Sequence, residues 1–191
     1  QPQPGKTVVD PCCGSGGFLL AAKDYIEDSE HYTLDRDQRH FLRYSTFAGW
    51  EIVPSTYKLC LMNLFLHNIS DFNGEPPIYR NSLLADPGTR YDYVLTNPPF
   101  GKKSSYSFTN DEGLQEEEEG TYNRQDFWAV TSNKQLNFVQ HIHTILRQDG
   151  HAAVVVPDNV LFERRCDANS SKPPTCIQSS GFLPASSMPR E

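Results

Sequence analysis

The chain has 191 residues, enough for one ordinary domain with a sizeable core and not comfortably enough for two. It has no run of about 18 apolar residues that would predict a membrane span, and its net charge of −7 gives no general sign of a polyanion partner. The five cysteines include one adjacent pair and no Cys-x-x-Cys spacing, so we expect reduced thiols, a cytoplasmic location and no metal site.

The first half of the chain predicts two strand–helix units. Thr7–Val9 is a short apolar run that predicts a buried strand, and a glycine-rich turn at 13–17 leads from it into a helix beginning at Phe18. A second strand is predicted at 47–52, where Glu51 marks its acidic end. The helix that follows, at 54–68, places these apolar residues on one side: Tyr57, Leu61, Leu64 and Phe65.

The second half continues the alternation after a long interruption. Short strands are predicted at 76–79 and 91–96, and the latter runs directly into Asn97-Pro98-Pro99-Phe100. Residues 101–133 contain the acidic run Glu116–Glu119 and predict a long surface loop that is ordered only in part. A helix from Lys134 to Gly150 and a buried strand at 152–156 complete the pattern.

Strands that alternate with helices predict a parallel sheet in a doubly wound α/β fold. We assign residues 1–164 to this domain and predict that 165–191, rich in proline and serine and without periodicity, is a disordered tail. In parallel sheets, ligands bind at the carboxyl ends of strands. Three polar clusters fall at such ends, and we expect them to share one crevice: Asp10–Gly17, Glu51 and Asn97–Phe100.

The glycine-rich turn limits the cofactor classes. Glycines after a first strand let the backbone approach a ligand at a helix N-terminus. No lysine follows them, which excludes an ATP-binding P-loop, and Leu19 stands where a dinucleotide fingerprint needs its third glycine. An S-adenosylmethionine site and a plain tight turn remain. The acid Glu51 suits the ribose hydroxyls of either a dinucleotide or S-adenosylmethionine.

The segment Asn97-Pro98-Pro99-Phe100 favours one kind of acceptor. Adjacent prolines fix the backbone and offer no N–H groups, so the flanking carbonyls keep one direction. With the Asn97 side-chain carbonyl they form two acceptors suited to an NH₂ group, and Phe100 offers a face on which a planar base stacks. The alternative is a turn that simply ends a strand.

These two motifs resemble those of N6-adenine DNA methyltransferases. Asp10-Pro11-Cys12-Cys13-Gly14-Ser15-Gly16-Gly17-Phe18-Leu19 resembles their cofactor motif, and Asn97-Pro98-Pro99-Phe100 matches their catalytic motif. Further segments resemble the modification (M) subunit of type I restriction–modification systems, so that the likeness spans residues 5–163: Gly49–Glu51, Asn63–His67, 134–138 and 155–162. The family's M subunit has an N-terminal helical region that this chain lacks and further strands after Phe162, so we expect a fragment.

The resemblance implies a Rossmann-like, S-adenosylmethionine-dependent fold, incomplete at its C-terminal strands, and a set of site residues. The implied cofactor-binding residues are Asp10, Pro11, Gly14, Ser15, Gly16, Gly17, Phe18, Glu51 and Asn81. The implied catalytic residues, which would hold and stack the adenine, are Asn97, Pro98, Pro99 and Phe100. The family often has an acid where Asn81 stands, so only a hydrogen bond to the cofactor's adenine remains there. Cys12 and Cys13 are expected to pack as small side chains.

The implied partners are double-stranded DNA with a flipped target adenine and the specificity (S) and restriction (R) subunits of a type I system. Lys102 and Lys103 are candidate phosphate contacts or else solvated loop lysines. Other functions stay open: a non-catalytic cofactor-binding or assembly fragment, or a related enzyme acting on RNA or protein glutamine. An NAD-dependent oxidoreductase fits less well, because it leaves the Asn97 motif unexplained. We expect that the tail from Arg165 onward reflects truncated or frame-shifted coding.

Overall fold

The computed structural model describes residues 1–70, 78–99, 107–109, 115–117, 122 and 124–157. Its elements in chain order are β1 (Val8–Asp10), α1 (Gly17–Glu27), α2 (Arg36–Tyr44), β2 (Phe47–Glu51), α3 (Pro54–Leu66), β3 (Ile78–Tyr79), β4 (Tyr91–Thr96), β5 (Ser107–Thr109), β6 (Gln115–Glu117), α4 (Lys134–Ile145) and β7 (Leu146–Val154). None of the helices in these residues is long and apolar enough to cross a membrane.

The main sheet has five parallel strands in the order β3-β2-β1-β4-β7. Val8 pairs with Phe47 of β2 on one side and with Tyr93 of β4 on the other. The chain therefore builds outward from β1 to β3 and then crosses back to lay β4 against the opposite side of β1. This reversal of strand order creates a crevice at the carboxyl ends of β1 and β4.

Helices cover both faces of the sheet, which confirms the predicted doubly wound α/β fold. On one face, Leu19 of α1 and Cys60 of α3 pack against Val8. On the other face, Ile142 of α4 packs against Val9 and its neighbours. The adjacent valines of β1 thus belong to hydrophobic cores on opposite faces of the sheet, because successive side chains of a strand point to opposite sides.

Local sequence signals explain where the helices begin. Pro54 occupies the first turn of α3, where a missing N–H costs nothing. Asn133 caps α4 by accepting hydrogen bonds from the backbone of Gln135 and Leu136. Helix α2 was absent from the sequence prediction, because Leu42 is its only buried residue and no apolar stripe marks it.

The end of α4 differs from the prediction. The helix ends at Ile145 rather than at Gly150, because Leu146 already pairs with Tyr91 of β4. The register between the two strands then shifts, and Asp149 adopts a left-handed backbone with φ of 65°. A Cβ atom at Gly150 would come within 3.0 Å of the Asp92 carbonyl oxygen, so this position needs glycine.

Two burial predictions were wrong. The strand predicted at 152–156 was expected to be buried, but Ala152 and Ala153 are exposed, because β7 lies at the edge of the sheet that the described residues form and pairs there only with β4. Phe65 was expected on the core side of α3, but 51% of it is exposed. Leu64, predicted on the same side, is buried as expected, and Cys60 is the other buried residue of α3.

The segment predicted as a surface loop at 101–133 needs correction. Strands β5 and β6 pair antiparallel within it, and Tyr122 and Arg124 are buried, with 8% and 9% exposed. Tyr122 packs against Leu83 and Phe138 of the main domain. Arg124 donates a hydrogen bond to the carbonyl oxygen of Leu83 and lies against the ring of Phe127. Phe100, both candidate lysines and the tail at 165–191 lie outside the described residues.

Candidate functional site

The turn between β1 and α1 is shaped by two glycines with left-handed backbones, Gly14 (φ 55°) and Gly16 (φ 86°). Gly16 also lies close to α3, because an added Cβ atom there would approach Cys60 Sγ to 3.1 Å. At Gly14 and Gly17, by contrast, an added Cβ atom would meet nothing within 4 Å. The turn is therefore packed on the side of α3 and open on the other side, where a ligand can approach the backbone.

Glu51, at the end of β2, binds backbone N–H groups around the turn. Its Oε2 accepts a hydrogen bond from Gly14 N at 3.0 Å, and its Oε1 accepts from Ile52 N at 2.9 Å and Val53 N at 2.7 Å. A carboxylate has about four acceptor sites. Three are thus occupied in this arrangement, which leaves about one for a ligand hydroxyl rather than the two that the sequence suggested.

Asp10, at the end of β1, is a buried carboxyl group with 1% of its surface exposed. Its Oδ1 accepts hydrogen bonds from Thr96 Oγ1 at 2.6 Å and from Cys12 N at 3.0 Å. Burial raises the pKa of Asp10 to about 6, although the two hydrogen bonds oppose that shift. The bond to Thr96 joins the carboxyl end of β1 to the carboxyl end of β4.

The Asn97 motif begins directly after Thr96. Asn97 is exposed, Pro98 is buried and Pro99 is half-buried. The side chain of Asn97 has no hydrogen-bond partner in the part of the chain that the structure describes, so its carbonyl and amide groups are available to a ligand. Phe100, the fourth predicted catalytic residue, lies outside that part.

A cleft of about 280 Å³ opens beside these strand ends, close to the lower limit of about 300 Å³ for small-molecule pockets. Five of the predicted site residues line it: Pro11, Glu51, Asn81, Asn97 and Pro99. The remaining described ones do not line it: Asp10, Gly14, Ser15, Gly16, Gly17, Phe18 and Pro98. Of these, Phe18 lies on the first turn of α1, 40% exposed.

Two side chains that line the cleft have buried N–H groups without a hydrogen-bond partner among the described residues. These are Nε1 of Trp50 and both Nε and Nη2 of Arg80. An unpaired buried donor costs free energy. A ligand that brings acceptor atoms to these N–H groups would reduce that cost.

Sequence reasoning missed three residues that hold the site in place. Asn63 of α3 donates from Nδ2 to the carbonyl oxygen of Ser15 at 3.0 Å, and its only signal in the sequence was its place in the segment Asn63–His67. Thr96 carries the bond between β1 and β4. Tyr122 accepts a hydrogen bond from Asn81 Nδ2 at 3.0 Å, across 41 positions that no local pattern connects.

The cysteines near the turn are packed thiols. Cys13 and Cys60 are buried with their sulfur atoms 3.8 Å apart, and Cys12 Sγ lies 3.0 Å from Thr96 Oγ1. Burial raises the pKa of Cys12 well above its usual range, so it stays protonated and is a poor nucleophile. No group of three or more metal-ligating side chains occurs in the described ranges.

Comparison with known proteins gives a consistent result at the level of the family. The N-6 DNA methylase family model matches residues 1–171. The EcoKI methylase subunit of the type I restriction enzyme from Escherichia coli K12 is 40% identical over 171 residues, covering 85% of this chain and 29% of that protein. The EcoEI methylase subunit, also from Escherichia coli, is 31% identical over 169 residues, covering 84% of this chain and 30% of the relative.

Solved structures agree with these relatives. The crystal structure of the EcoKI M protein superposes with a TM-score of 0.68 at 40% identity, covering 85% of this chain and 32% of that one. A modification subunit of a type I restriction enzyme from Vibrio vulnificus gives a TM-score of 0.64 at 31% identity with the same two coverages. The chain thus spans about 30% of the length of the relatives it matches.

Proposed function

The chain belongs to the N-6 DNA methylase family, and from this premise we propose that it transfers a methyl group from S-adenosylmethionine to the N6 amine of adenine in DNA. We propose that it does so as the catalytic portion of a modification subunit in a type I restriction–modification system. One observation carries the proposal. The glycine turn and the Asn97 motif stand at neighbouring strand ends, which Thr96 Oγ1 and Asp10 Oδ1 join at 2.6 Å.

The residues around the turn fit S-adenosylmethionine. The open side of Gly14 and Gly17 admits a bulky ligand against the backbone, and the remaining acceptor site of Glu51 suits a ribose hydroxyl. Asp10 supplies a buried negative charge for a cationic methionine portion. When bound, this cofactor supplies an electrophilic methyl group on a sulfonium centre.

The Asn97 motif would hold the methyl acceptor. Asn97 Oδ1 and the Pro98 carbonyl would accept hydrogen bonds from the two N–H groups of the adenine amine, and Phe100 would stack on the base. These contacts would orient the amine nitrogen and make its lone pair more available. The N–C bond would form as the methyl–sulfur bond breaks, and the proton that the amine loses would pass to water. The contribution of the chain is therefore mainly orientation of the two reactants.

We propose double-stranded DNA as the substrate and the specificity and restriction subunits as partners, since the relatives are named as subunits of type I restriction enzymes. A DNA-acting role and the free thiols of Cys12, Cys13 and Cys60 both support a cytoplasmic location. One alternative is a module that binds the cofactor without catalysis.

The decisive experiment separates cofactor binding from methyl transfer. Calorimetric titration with S-adenosylmethionine should give binding by the unmodified chain and by Asn97→Ala, and at least about tenfold weaker binding by Glu51→Gln. Transfer of a radiolabelled methyl group to adenine-containing duplex DNA should occur with the unmodified chain and be lost in Asn97→Ala, with RNA and glutamine peptides as competing acceptors.

Each outcome has a distinct meaning. Binding by the unmodified chain without transfer to any acceptor would support the cofactor-binding module. Labelling of RNA or peptide instead of DNA would replace the proposed substrate. Absence of cofactor binding would overturn the proposed function altogether.

A further inference from the structure

Arg124 is a buried arginine in the segment between β6 and α4, 9% exposed. Its guanidinium group forms a bidentate pair with Asp126, with 3.0 Å between Nε and Oδ1. The ring of Phe127 lies 4.3 Å from the guanidinium carbon. Asp126 also accepts a hydrogen bond from Thr144 of α4, so the ion pair is anchored to that helix.

The remaining donor atom of Arg124, Nη1, has two partners in other parts of the fold. It donates to the carbonyl oxygen of Leu83 at 3.2 Å and to Nδ1 of His141 in α4 at 3.1 Å. Leu83 belongs to the cleft wall, which we define as Asn81, Ser82 and Leu83. Arg124 therefore connects the cleft wall directly to α4.

His141 is suited to this contact because it is neutral. An arginine only donates hydrogen bonds, so Nδ1 of His141 accepts and the imidazole proton lies on Nε2. Burial, together with the neighbouring guanidinium charge, lowers the pKa of His141 to about 3. A charged imidazole would repel Arg124, whereas the neutral form completes the connection.

A second contact from the same segment reaches the cleft wall. Asn81 donates from Nδ2 to Tyr122 Oη at 3.0 Å, while its Oδ1 accepts from Leu83 N at 3.0 Å. Tyr122 and Arg124 thus hold both ends of the three-residue wall. Apolar contacts among Leu83, Tyr122 and Phe138 close the space behind it.

We propose that Arg124 is a positioning residue for cofactor binding, which sets the cleft wall in its binding geometry by tying the Leu83 carbonyl to α4. This inference rests on the proposed function, because it assigns the cleft to S-adenosylmethionine. Tyr122 acts with Arg124 and has a smaller effect, since its hydroxyl group bonds the side chain of Asn81 rather than the backbone of the wall.

The test uses calorimetric titration of the full chain with S-adenosylmethionine, which reports affinity and binding-competent fraction separately. Arg124→Met should raise the Kd about tenfold, and Arg124→Lys nearly as much, because an ammonium group cannot reach all three partners. Tyr122→Phe should raise it about threefold. The stoichiometry should stay that of the unmodified chain.

Arg43→Met is the matched control, because Arg43 lies on α2 with its guanidinium carbon 5.1 Å from the centre of the Tyr44 ring and does not line the cleft. Its Kd should stay unchanged. Should Arg124→Met lack a cooperative thermal transition, the conservative Arg124→Lys and Tyr122→Phe carry the test.

Two results would overturn the inference and differ in what they say of the proposed function. A reduced stoichiometry at unchanged Kd would make Arg124 merely structural and leave the proposed function intact. Failure of the unmodified chain to bind S-adenosylmethionine would remove the proposed function and this inference together.

Discussion

Asp10 shows how one residue is fitted for a charged ligand. Its carboxyl group is buried and, among the described residues, it accepts hydrogen bonds from Thr96 and Cys12 without any cationic partner. Burial therefore dominates and raises its pKa to about 6, with the nearby charge of Glu51 as a smaller contribution. A cationic ligand beside Asp10 would favour the ionised form, so the free chain holds this charge at a cost that binding relieves.

The raised pKa of Asp10 predicts a specific trend of stability with pH. Between about pH 4 and 6, Asp10 is protonated in the folded chain but ionised in the unfolded chain. The contribution of Asp10 to stability is therefore fully present below the pKa of the unfolded state and is lost as the pH rises through about 6. Relative to the unmodified chain, Asp10→Asn should therefore become more stable as the pH rises. The difference between their free energies of unfolding, measured in urea, should shift in favour of Asp10→Asn by on the order of 2 to 3 kcal/mol from pH 4 to 7.

Asp24→Asn, at an exposed position of α1, is the control and should show no such gain. A difference between Asp10→Asn and the unmodified chain that is constant over this pH range would show that folding does not raise the pKa of Asp10.

Among the elements, α2 depends on its cap more than on the core. Asp35 accepts a hydrogen bond from Gln38 N at 2.8 Å, while Gln38 Oε1 accepts from Asp35 N at 3.1 Å. This reciprocal pair satisfies two backbone donors at the helix start. Leu42 is the only buried residue of the helix, so packing adds little.

Removing the cap should therefore cost stability without changing the site. Asp35→Ala is expected to lower the free energy of unfolding by about 1 kcal/mol, while Asp37→Ala, in the first turn but outside the cap, should lower it by less. Urea titration measures both, and calorimetry should give the same affinity for S-adenosylmethionine. A weakened affinity in Asp35→Ala would mean that α2 supports the cleft.

Local sequence patterns predicted the elements in which the residue types and the bounding residues all favour the same secondary structure. The bounds of β4 were predicted as observed, because β-branched and aromatic residues fill it and Asn97-Pro98 ends it. Strand β1 and its glycine turn were equally clear. Helix α2 lacked an apolar stripe, and the buried places of Tyr122 and Arg124 depend on partners about 41 positions away, which no local pattern reveals.

For the whole molecule, the overall charge disfavours the DNA binding that the proposed function requires. The net charge is −7, and residues 101–133 carry seven acidic residues against three basic ones. Binding to DNA phosphates requires Lys and Arg, so this chain by itself has a weak general attraction for a duplex. Any phosphate contact must come from local groups such as Lys102 and Lys103 beside the Asn97 motif, or from a partner subunit.

This balance predicts weak DNA binding with a shallow dependence on salt. Replacing both lysines in Lys102→Ala/Lys103→Ala should weaken binding to a fluorescent duplex and reduce the slope of log affinity against log salt by about 2. Lys58→Ala, on an exposed position of α3, should leave the slope unchanged. An unchanged slope in the double variant would make the two lysines solvated loop residues.

The order of strands in the sheet also determines when the site forms during synthesis. Thr7 bonds to Asp92, and Asp10 to Thr96, across 85 and 86 positions of the chain. At about 5–20 residues per second, the ribosome needs several seconds to make the intervening segment. The glycine turn therefore cannot take its place in the site until β4 has been synthesised and pairs with β1. The turn and the Asn97 motif come together in that same late step of folding.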